Sequence, residues 1–148
     1  MSPRELEHYL HQHIPISKAM HVRVLACDNR SVVLSAPLEP NINHRETAFG
    51  GSASALAILS AWSLVHVRLT EAGIASRIVI QRNTMEYRRP IKGEFTARAS
   101  LKGDEEWAKF VQAFVRRGKA RIRVDSVVEY AQEIAGEFSG DFVALGPG

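Results

Sequence analysis

The segment from residue 41 to residue 52 holds the densest group of side chains that could do chemistry. Asn43, His44 and Glu46 lie just before two adjacent glycines, which open a long run of apolar and small residues. We predict that a helix begins at these glycines. The first N–H groups of a helix lack intrahelical acceptors and carry partial positive charge. Such a start can bind an anion, or a carbonyl oxygen that becomes negative during a reaction. The alternative is a plain loop with a glycine-rich helix start.

The predicted helix runs from Gly50 to about Ala72, with Gly73 as its C-terminal cap. From Thr47 to Val67 the sequence contains no Asp, Glu, Lys or Arg. A helix that is apolar on nearly all sides is a buried helix. Helices do not alternate with the strand patterns, so a parallel sheet is disfavoured. We therefore predict an α+β fold in which an antiparallel sheet wraps around this central helix.

Several shorter elements are predicted around the central helix. A short N-terminal helix begins at Ser2, which forms a capping box with Glu5, and ends at Pro15. An extra helix is expected near 104–117, with Asp104 as its N-cap and Gly118 as its C-cap. Strands are expected at 22–27, 31–36, 77–89, 94–101, 119–130 and between 133 and 145.

Composition restricts the remaining possibilities. The chain has 148 residues, 45% of them hydrophobic and 24% charged, which is typical of a single globular domain. Its one cysteine excludes a disulfide within the chain. The N-terminus lacks an apolar segment, and residues 53–67 are too short and serine-rich for a membrane span, so we expect a cytoplasmic protein. The histidines lack the partner residues of a metal site, and no metal is expected.

The sequence resembles the thioesterase-like family of the YiiD C-terminal domain, which has the hotdog fold. The resemblance covers essentially the whole chain. It is carried by Asn43-His44, by the string from Thr47 to Ser52, and by residues 14–20 and 78–82. Glu46 and His21 stand where glycine is common in the family. Glycine at position 46 can serve a positive φ, so Glu46 either changes the loop or adds a carboxylate near the site.

The resemblance implies an obligate dimer and an acyl-thioester substrate on acyl carrier protein or coenzyme A, with a pantetheine tunnel at the dimer interface. No cofactor is implied beyond the phosphopantetheine or coenzyme A of the substrate. Members of the family include malonyl-acyl-carrier-protein decarboxylases, whose catalytic asparagine carries over by position to Asn43. We expect Gly50 and Gly51 to form an oxyanion element. Residues expected to contact substrate in this segment are His44, Glu46, Thr47, Phe49 and Ser52.

Two reactions fit these residues. Hydrolysis requires a base or a nucleophile, and the central helix has no acid before Glu71, which leaves His44 and Glu46. Decarboxylation requires an oxyanion site and a pocket that weakens solvation of the carboxylate. We favour decarboxylation of malonyl-acyl carrier protein to acetyl-acyl carrier protein. A thioesterase is the first alternative, and a non-catalytic acyl-binding or dimerisation module is the second.

Basic residues outnumber acidic ones between residues 77 and 123, whereas the tail from Asp125 onward contains no Lys or Arg. Arg82, Arg88 and Arg89 are candidates to bind the phosphate of phosphopantetheine or an acidic helix of a carrier protein. The alternative is a solvated basic edge that prevents sheet pairing. The net charge of +3 is small and no nucleic-acid motif is present, so neither nucleic acid nor membrane is an expected partner.

Overall fold

One long helix packs against a six-stranded antiparallel sheet, as the sequence predicts. The computed structural model describes residues 1–146, and the sheet order is β1-β2-β4-β5-β6-β3. The elements are α1 (Pro3–His13), α2 (Pro15–Ala19), β1 (Arg23–Cys27), β2 (Ser31–Ala36), a 3-10 turn (Glu39–Asn41), α3 (Gly50–Glu71), β3 (Arg77–Tyr87), β4 (Phe95–Ser100), α4 (Asp104–Arg117), β5 (Lys119–Tyr130) and β6 (Glu133–Leu145).

The central helix α3 forms the middle of the hydrophobic core. It contacts five of the six strands, and Leu56, Leu64 and Val65 are completely buried. Its small residues let the sheet approach closely, and the hydroxyl groups of Ser60 and Ser126 lie 2.7 Å apart across this contact. The length and apolar composition of α3 would also suit a membrane span, but most of the helix is buried inside the fold. Burial by the sheet is the environment of a core helix.

Most predicted boundaries are confirmed within two residues, and three local predictions need correction. The C-cap of α3 is Ala72 rather than Gly73, which follows it with a left-handed φ of 72°. Pro15 ends α1 as expected, but it also opens a second short helix, because proline is favoured at the first helical position. The N-cap of α4 is Gly103 rather than Asp104. Asp104 is instead the first helical residue, where its negative charge still interacts favourably with the helix dipole.

Helix α4 occupies the place of a strand beside β5. Strand β4 pairs with β5 only at residues 125–129, so the first half of β5 has no strand partner on that side. Helix α4 joins this half of β5 through Gly118, whose φ of 70° is left-handed. Phe110 and Phe114 are buried from the helix side. The helix is about 21 Å long, and the six-residue strand segment that it flanks is about 20 Å long.

The turn between β5 and β6 contains two strained residues. Ala131 and Gln132 have φ values of 52° and 66°, and Tyr130 pairs with Glu133 across them. Two consecutive positive φ angles in a two-residue hairpin turn are typical of type I′, which favours Asn-Gly. Residues with a Cβ atom adopt this conformation at a cost of about 1–2 kcal/mol each.

The double variant Ala131→Asn, Gln132→Gly should therefore stabilise the fold by about 1 kcal/mol, because both new residues tolerate positive φ. Thermal unfolding should show a Tm increase of about 2–5 °C. Gln112→Gly is the matched control, since Gln112 is exposed in the middle of α4. Glycine there should lower stability by about 1 kcal/mol. A lower Tm for the turn variant than for the wild type would contradict backbone strain at Ala131 and Gln132.

A stack of aromatic rings attaches α1 to α3. The ring centroid of His66 lies 4.4 Å from that of Tyr9 and 4.9 Å from that of Trp62, and His13 contacts the Tyr9 ring at 4.2 Å. The buried Nε2 atom of His66 has no hydrogen-bond partner among residues 1–146. Burial, and secondarily the nearby His13, lower the pKa of His66 below its ordinary value of 6.5. The neutral imidazole is therefore the form that fits this stack.

Because the pKa of His66 is lower in the folded state than in the unfolded chain, its contribution to stability should be complete above pH 6.5. This contribution should decline as the pH falls through the lowered pKa. His66→Phe keeps a stacking ring without a titratable group. We expect a shallower fall of Tm between pH 7 and pH 5 for this variant than for the wild type. His8→Phe, at an exposed position on α1, should keep the wild-type slope. Equal slopes of Tm against pH for all three proteins would contradict the contribution of His66 to this pH dependence.

Candidate active site

The loop before α3 is organised around the side chain of Asn43. Its Oδ1 accepts hydrogen bonds from the backbone N–H groups of Arg45 (2.8 Å) and Thr47 (3.1 Å). Its Nδ2 donates to Thr47 Oγ1 at 2.9 Å and to the Ala48 carbonyl at 3.4 Å. This amide thus uses its NH2 group and its oxygen to hold residues 43–48 in a tight turn. The bond to Ala48 is the longest of the four.

The two departures from the family pattern keep the backbone conformation that glycine favours. Glu46 has φ of 64° and His21 has φ of 58°, both in the left-handed region. Glu46 in place of glycine therefore does not change the backbone of the loop, because the loop still makes a left-handed turn at this residue. The Glu46 side chain is exposed and does not line a cavity near the start of α3.

Two aromatic rings cover the two glycines at the start of α3. A Cβ atom on Gly51 would overlap the Phe49 ring, and one on Gly50 would lie 3.4 Å from the Tyr87 ring. The Tyr87 hydroxyl also donates a hydrogen bond to the Gly50 carbonyl at 3.1 Å. The first hydrogen bonds of the helix run from Ser52 and Ala53 to the Phe49 carbonyl. Within the described residues, the N–H groups of Gly50 and Gly51 have no acceptor.

A cavity of about 350 Å³ lies beside this helix start, between α3 and the ends of three strands. Its volume is within the range of small-molecule sites in proteins. Two arginines at the end of β3 contribute the cationic groups. Among residues 1–146, its lining contains no carboxylate and no imidazole. The lining residues are Ala48, Gly50, Ala53, Met85, Tyr87, Arg88, Arg89, Pro90, Ile91, Val128 and Ala135.

The two arginines are held by ion pairs across the sheet. Arg88 interacts with Glu86, at 3.2 Å, and with Glu137, whereas Arg89 interacts with Glu133 at 3.0 Å. Both guanidinium groups are about half exposed, so these pairs are weak and exchangeable. An anionic group that reaches this end of the cavity can therefore replace a carboxylate partner.

The structure brings some of the predicted site residues together and separates others. Gly50, Arg88 and Arg89 line the cavity, with Gly51, Phe49 and Ser52 directly beside Gly50 in the chain. Asn43 and Thr47 lie behind the wall, and Asn43 reaches it through the Ala48 carbonyl. The remaining three predicted residues do not line this cavity, namely His44 and Glu46, which are exposed, and Arg82, which lines another groove.

Most of the cavity wall was missed by sequence reasoning, because only Gly50, Arg88 and Arg89 of its lining were predicted. Met85 and Tyr87 come from the end of β3, Ile91 follows it, and Val128 and Ala135 come from the β5–β6 hairpin. Strand alternation predicts which of these residues point inward, but it does not predict that three distant strand ends meet at one helix start. The position of Tyr87 just before the arginine pair was the available signal, because it places an aromatic residue at the end of a strand.

Comparison with known proteins agrees with this architecture. Residues 3–146 match the family described as "Putative thioesterase (yiiD_Cterm)". The chain belongs to this family. A protein of unknown function from Chlorobaculum tepidum TLS is 31% identical to it, with a TM-score of 0.92 over 99% of this chain and 98% of that chain.

More distant structures share the fold. One described as the "putative thioesterase" from Shewanella oneidensis is 23% identical, with a TM-score of 0.82 over 98% of this chain and 97% of that chain. The thioesterase HI1161 from Haemophilus influenzae is 12% identical, with a TM-score of 0.77 over 99% of this chain and 92% of that chain. The hotdog fold expected from the sequence is therefore confirmed, as is its thioesterase-like family.

The role of Asn43 in the loop predicts a graded loss of stability. Asn43→Ala removes four hydrogen bonds and should lower the free energy of unfolding by about 2 kcal/mol, because partly exposed bonds contribute about 0.5 kcal/mol each. Asn43→Asp keeps both acceptor bonds and should cost about half as much. Urea unfolding measures both variants. Asn29→Ala, at an exposed turn, is the control and should stay within about 0.5 kcal/mol of wild type. Equal stability of Asn43→Ala and wild type would contradict this role.

Proposed function

We propose that the cavity binds a malonyl thioester and that the protein converts malonyl-acyl carrier protein to acetyl-acyl carrier protein, which supplies the start of fatty acid synthesis. The single observation that carries this choice is the lining of the cavity. The part of the chain that the structure describes places no carboxylate or imidazole there to activate water, whereas two free N–H groups lie at the helix start. Decarboxylation requires the second feature and not the first.

The proposed reaction needs no nucleophile. The bond between the malonyl carboxylate carbon and the α-carbon breaks, and its electron pair moves into the thioester to give an enolate. The N–H groups of Gly50 and Gly51 donate to the enolate oxygen, where the positive end of the α3 dipole also acts. Carbon dioxide leaves, and the α-carbon takes a proton from water to give the acetyl thioester. The apolar residues Met85, Ile91 and Val128 weaken solvation of the carboxylate before it leaves.

Asn43 is proposed as the catalytic side chain. Its bond to the Ala48 carbonyl is long at 3.4 Å, and Ala48 itself lines the cavity. The Nδ2 group can exchange this weak bond for one to the thioester oxygen of the substrate, which becomes the enolate oxygen. The acceptor bonds from Arg45 and Thr47 remain in place during this exchange, so the loop keeps its shape.

Arg88 and Arg89 are proposed to bind the phosphate of the phosphopantetheine arm, on acyl carrier protein or on coenzyme A. Their position at the end of β3 leaves the apolar part of the cavity for the acyl group. A guanidinium group beside the malonyl carboxylate would stabilise the ground state and slow decarboxylation. Phosphate binding by these two residues is therefore compatible with the proposed reaction, whereas direct carboxylate binding is not.

A homodimer is proposed through β3. This strand is 11 residues long and, within residues 1–146, pairs only with β6, so its other edge has free backbone groups in that part of the chain. A long free edge is a template for another strand. Met85 and Tyr87 of β3 also line the cavity, so a second copy paired along this edge would lie beside the site. Residues of the partner subunit would then complete the wall.

Hydrolysis of an acyl thioester is the second candidate, favoured by the fold shared with structures described as thioesterases. In this case His44, Glu46 or a group from a second copy would have to activate water. His44 and Glu46 are exposed on the loop and lie outside the described cavity lining. A non-catalytic acyl-binding module is the remaining alternative, and it would bind the same thioesters without turnover.

Intact-mass analysis of malonyl-acyl carrier protein incubated with the purified protein tests the proposal. We expect the carrier to lose the mass of carbon dioxide. Asn43→Asp is the informative variant, because it keeps the acceptor bonds of the loop but removes the amide donor. Its rate should fall about 100-fold, as for loss of one oxyanion donor. Asn29→Asp is the matched control at an exposed turn and should retain full activity.

Each other outcome excludes the proposal in a different way. Release of free thiol carrier would identify a hydrolase and would direct attention to His44 and Glu46. An unchanged malonyl carrier would contradict the decarboxylase for this substrate. Wild-type activity in a folded Asn43→Asp protein would remove Asn43 from catalysis. Thermal unfolding of each variant confirms that a loss of activity is not a loss of fold.

A further inference from the structure

A basic groove lies outside the proposed active site, between α4 and the strands β3, β5 and β6. We call it the arginine groove and define it by its four cationic residues. It has a volume of about 440 Å³, and its wall also contains Glu106 and Asp141. The four cationic residues are Arg82, Lys109, Arg121 and Arg123.

Backbone geometry places three of these side chains on one face of the sheet. In β5, Ile122 and Val124 are buried while Arg121 and Arg123 are exposed, so the arginines lie on the outer face. A β-bulge at Gln81 shifts the register of β3, and Arg82 thereby pairs with Asp141, which in turn pairs with Arg123. Without the bulge, strand alternation would turn Arg82 to the opposite face.

The positive charge of the groove is only partly neutralised. Arg123 contacts Asp141 at 3.2 Å, and Lys109 contacts Glu105 at 3.6 Å. Within residues 1–146, neither Arg82 nor Arg121 has a carboxylate within 4.0 Å, and Arg121 instead contacts the amide oxygen of Gln81 at 3.3 Å. By contrast, acidic residues near the other end of the same strands have basic partners, such as Lys102 with Asp125. Arg82 and Arg121 therefore leave two cationic groups of the groove without a carboxylate partner among residues 1–146, against one such acid, Glu106, in its wall.

We propose that the arginine groove docks an acidic helix of the protein that carries the acyl thioester. This inference rests on the proposed function, because it assumes a protein-bound substrate. Arg121 and Arg123 are about 6.7 Å apart along the strand. Carboxylates four residues apart on a helix have a similar separation, about 5–6 Å between Cβ atoms. Guanidinium groups bind carboxylates with two parallel hydrogen bonds. The similar spacing of the two arginines and the two carboxylates would therefore strengthen binding and fix the position of the helix along the groove.

Nucleic acid fits the groove less well than an acidic protein. Binding of single strands usually depends on aromatic rings that stack on bases, and the one aromatic residue of the groove, Phe110, is only 3% exposed. Duplex recognition usually inserts a helix or a β-ribbon into a groove of the nucleic acid. Here Phe110 holds α4 against the sheet, so the helix does not project from the surface.

The proposed dimer also relates the groove to the cavity. In an antiparallel pairing of two β3 strands about their centre, Arg77 of one copy would lie opposite Tyr87 of the other. Arg82, at the centre of the strand, would lie opposite its own copy, and residues 77–81 of one copy would adjoin the half of the partner's β3 that lines the cavity. A carrier docked on one subunit would thus be near the opening used by its phosphopantetheine arm in the other subunit.

A binding measurement tests the groove without requiring turnover. Fluorescently labelled apo-acyl carrier protein, which lacks the phosphopantetheine arm, is titrated with wild type and with the double variant Lys109→Glu, Arg121→Glu, whose two positions line the groove but do not lie on β3. The double variant Arg4→Glu, Arg30→Glu is the control, since it makes the same change in net charge at exposed positions on α1 and the β1–β2 turn. We expect the groove variant to weaken binding at least about tenfold, because charge-assisted contacts are lost. The control should stay within about twofold of wild type.

A parallel kinetic assay separates this inference from the proposed function. With malonyl-pantetheine as substrate, the groove variant should decarboxylate as fast as wild type, whereas its KM for malonyl-acyl carrier protein should rise. Wild-type affinity in the groove variant would overturn the docking site. So would an equal loss in the control, or tighter binding of DNA than of carrier at the same groove. If wild type decarboxylates malonyl-pantetheine but does not bind apo-carrier, the docking inference fails alone. Carrier binding at the groove without turnover would support docking and reject the decarboxylase.

Discussion

Burial of a helix that carries no charged side chain between Gly50 and Val67 is the constraint on which this structure depends. From Gly50 to Val67 the chain offers water almost no polar surface, so α3 is stable only where a sheet covers it. Five strands supply that cover, and small residues such as Ala53 and Ala57 allow them to approach. The same burial fixes the start of the helix in space. A helix start that is held rigidly by a packed core can position its N–H groups to donate hydrogen bonds to a reacting oxygen.

The helix start is shaped mainly by backbone geometry. Asn43 fixes the preceding loop, the Phe49 ring lies where a Cβ atom of residue 51 would be, and the Tyr87 ring lies 3.4 Å from that of residue 50. At residue 51, glycine thus allows close contact between the Phe49 ring and the backbone. Among residues 1–146 no polar side chain caps the helix, so two N–H groups at its start have no acceptor there. The site thus combines fixed backbone donors with a mostly apolar wall. Such an arrangement can stabilise a developing negative charge without an ionisable side chain.

Sequence patterns predicted the elements better than their mutual positions. The charge-free run from Thr47 to Val67 was sufficient to predict the central helix and the sheet around it, and local cap signals located most boundaries. The cavity wall was not predictable, because Met85, Val128 and Ala135 are distant in sequence and meet only through strand order. Arg82 could not be separated from Arg88 and Arg89 for a similar reason. One extra residue in a strand reverses the direction of a side chain, and no local pattern signals it.

The position of α4 beside β5 has a consequence for how copies of this chain can associate. A helix satisfies its own backbone hydrogen bonds, so it offers no row of free donors and acceptors to a neighbouring strand. By covering the first half of β5, α4 closes an internal gap in the sheet. In the part of the chain that the structure describes, the remaining free edges are β1, which has five residues and an irregular register, and the longer β3. A contact in which β3 pairs with its own copy is symmetric and uses up that edge. Growth of such a dimer into a fibre is thereby disfavoured, since its sheet would end on each side in the short, irregular strand β1.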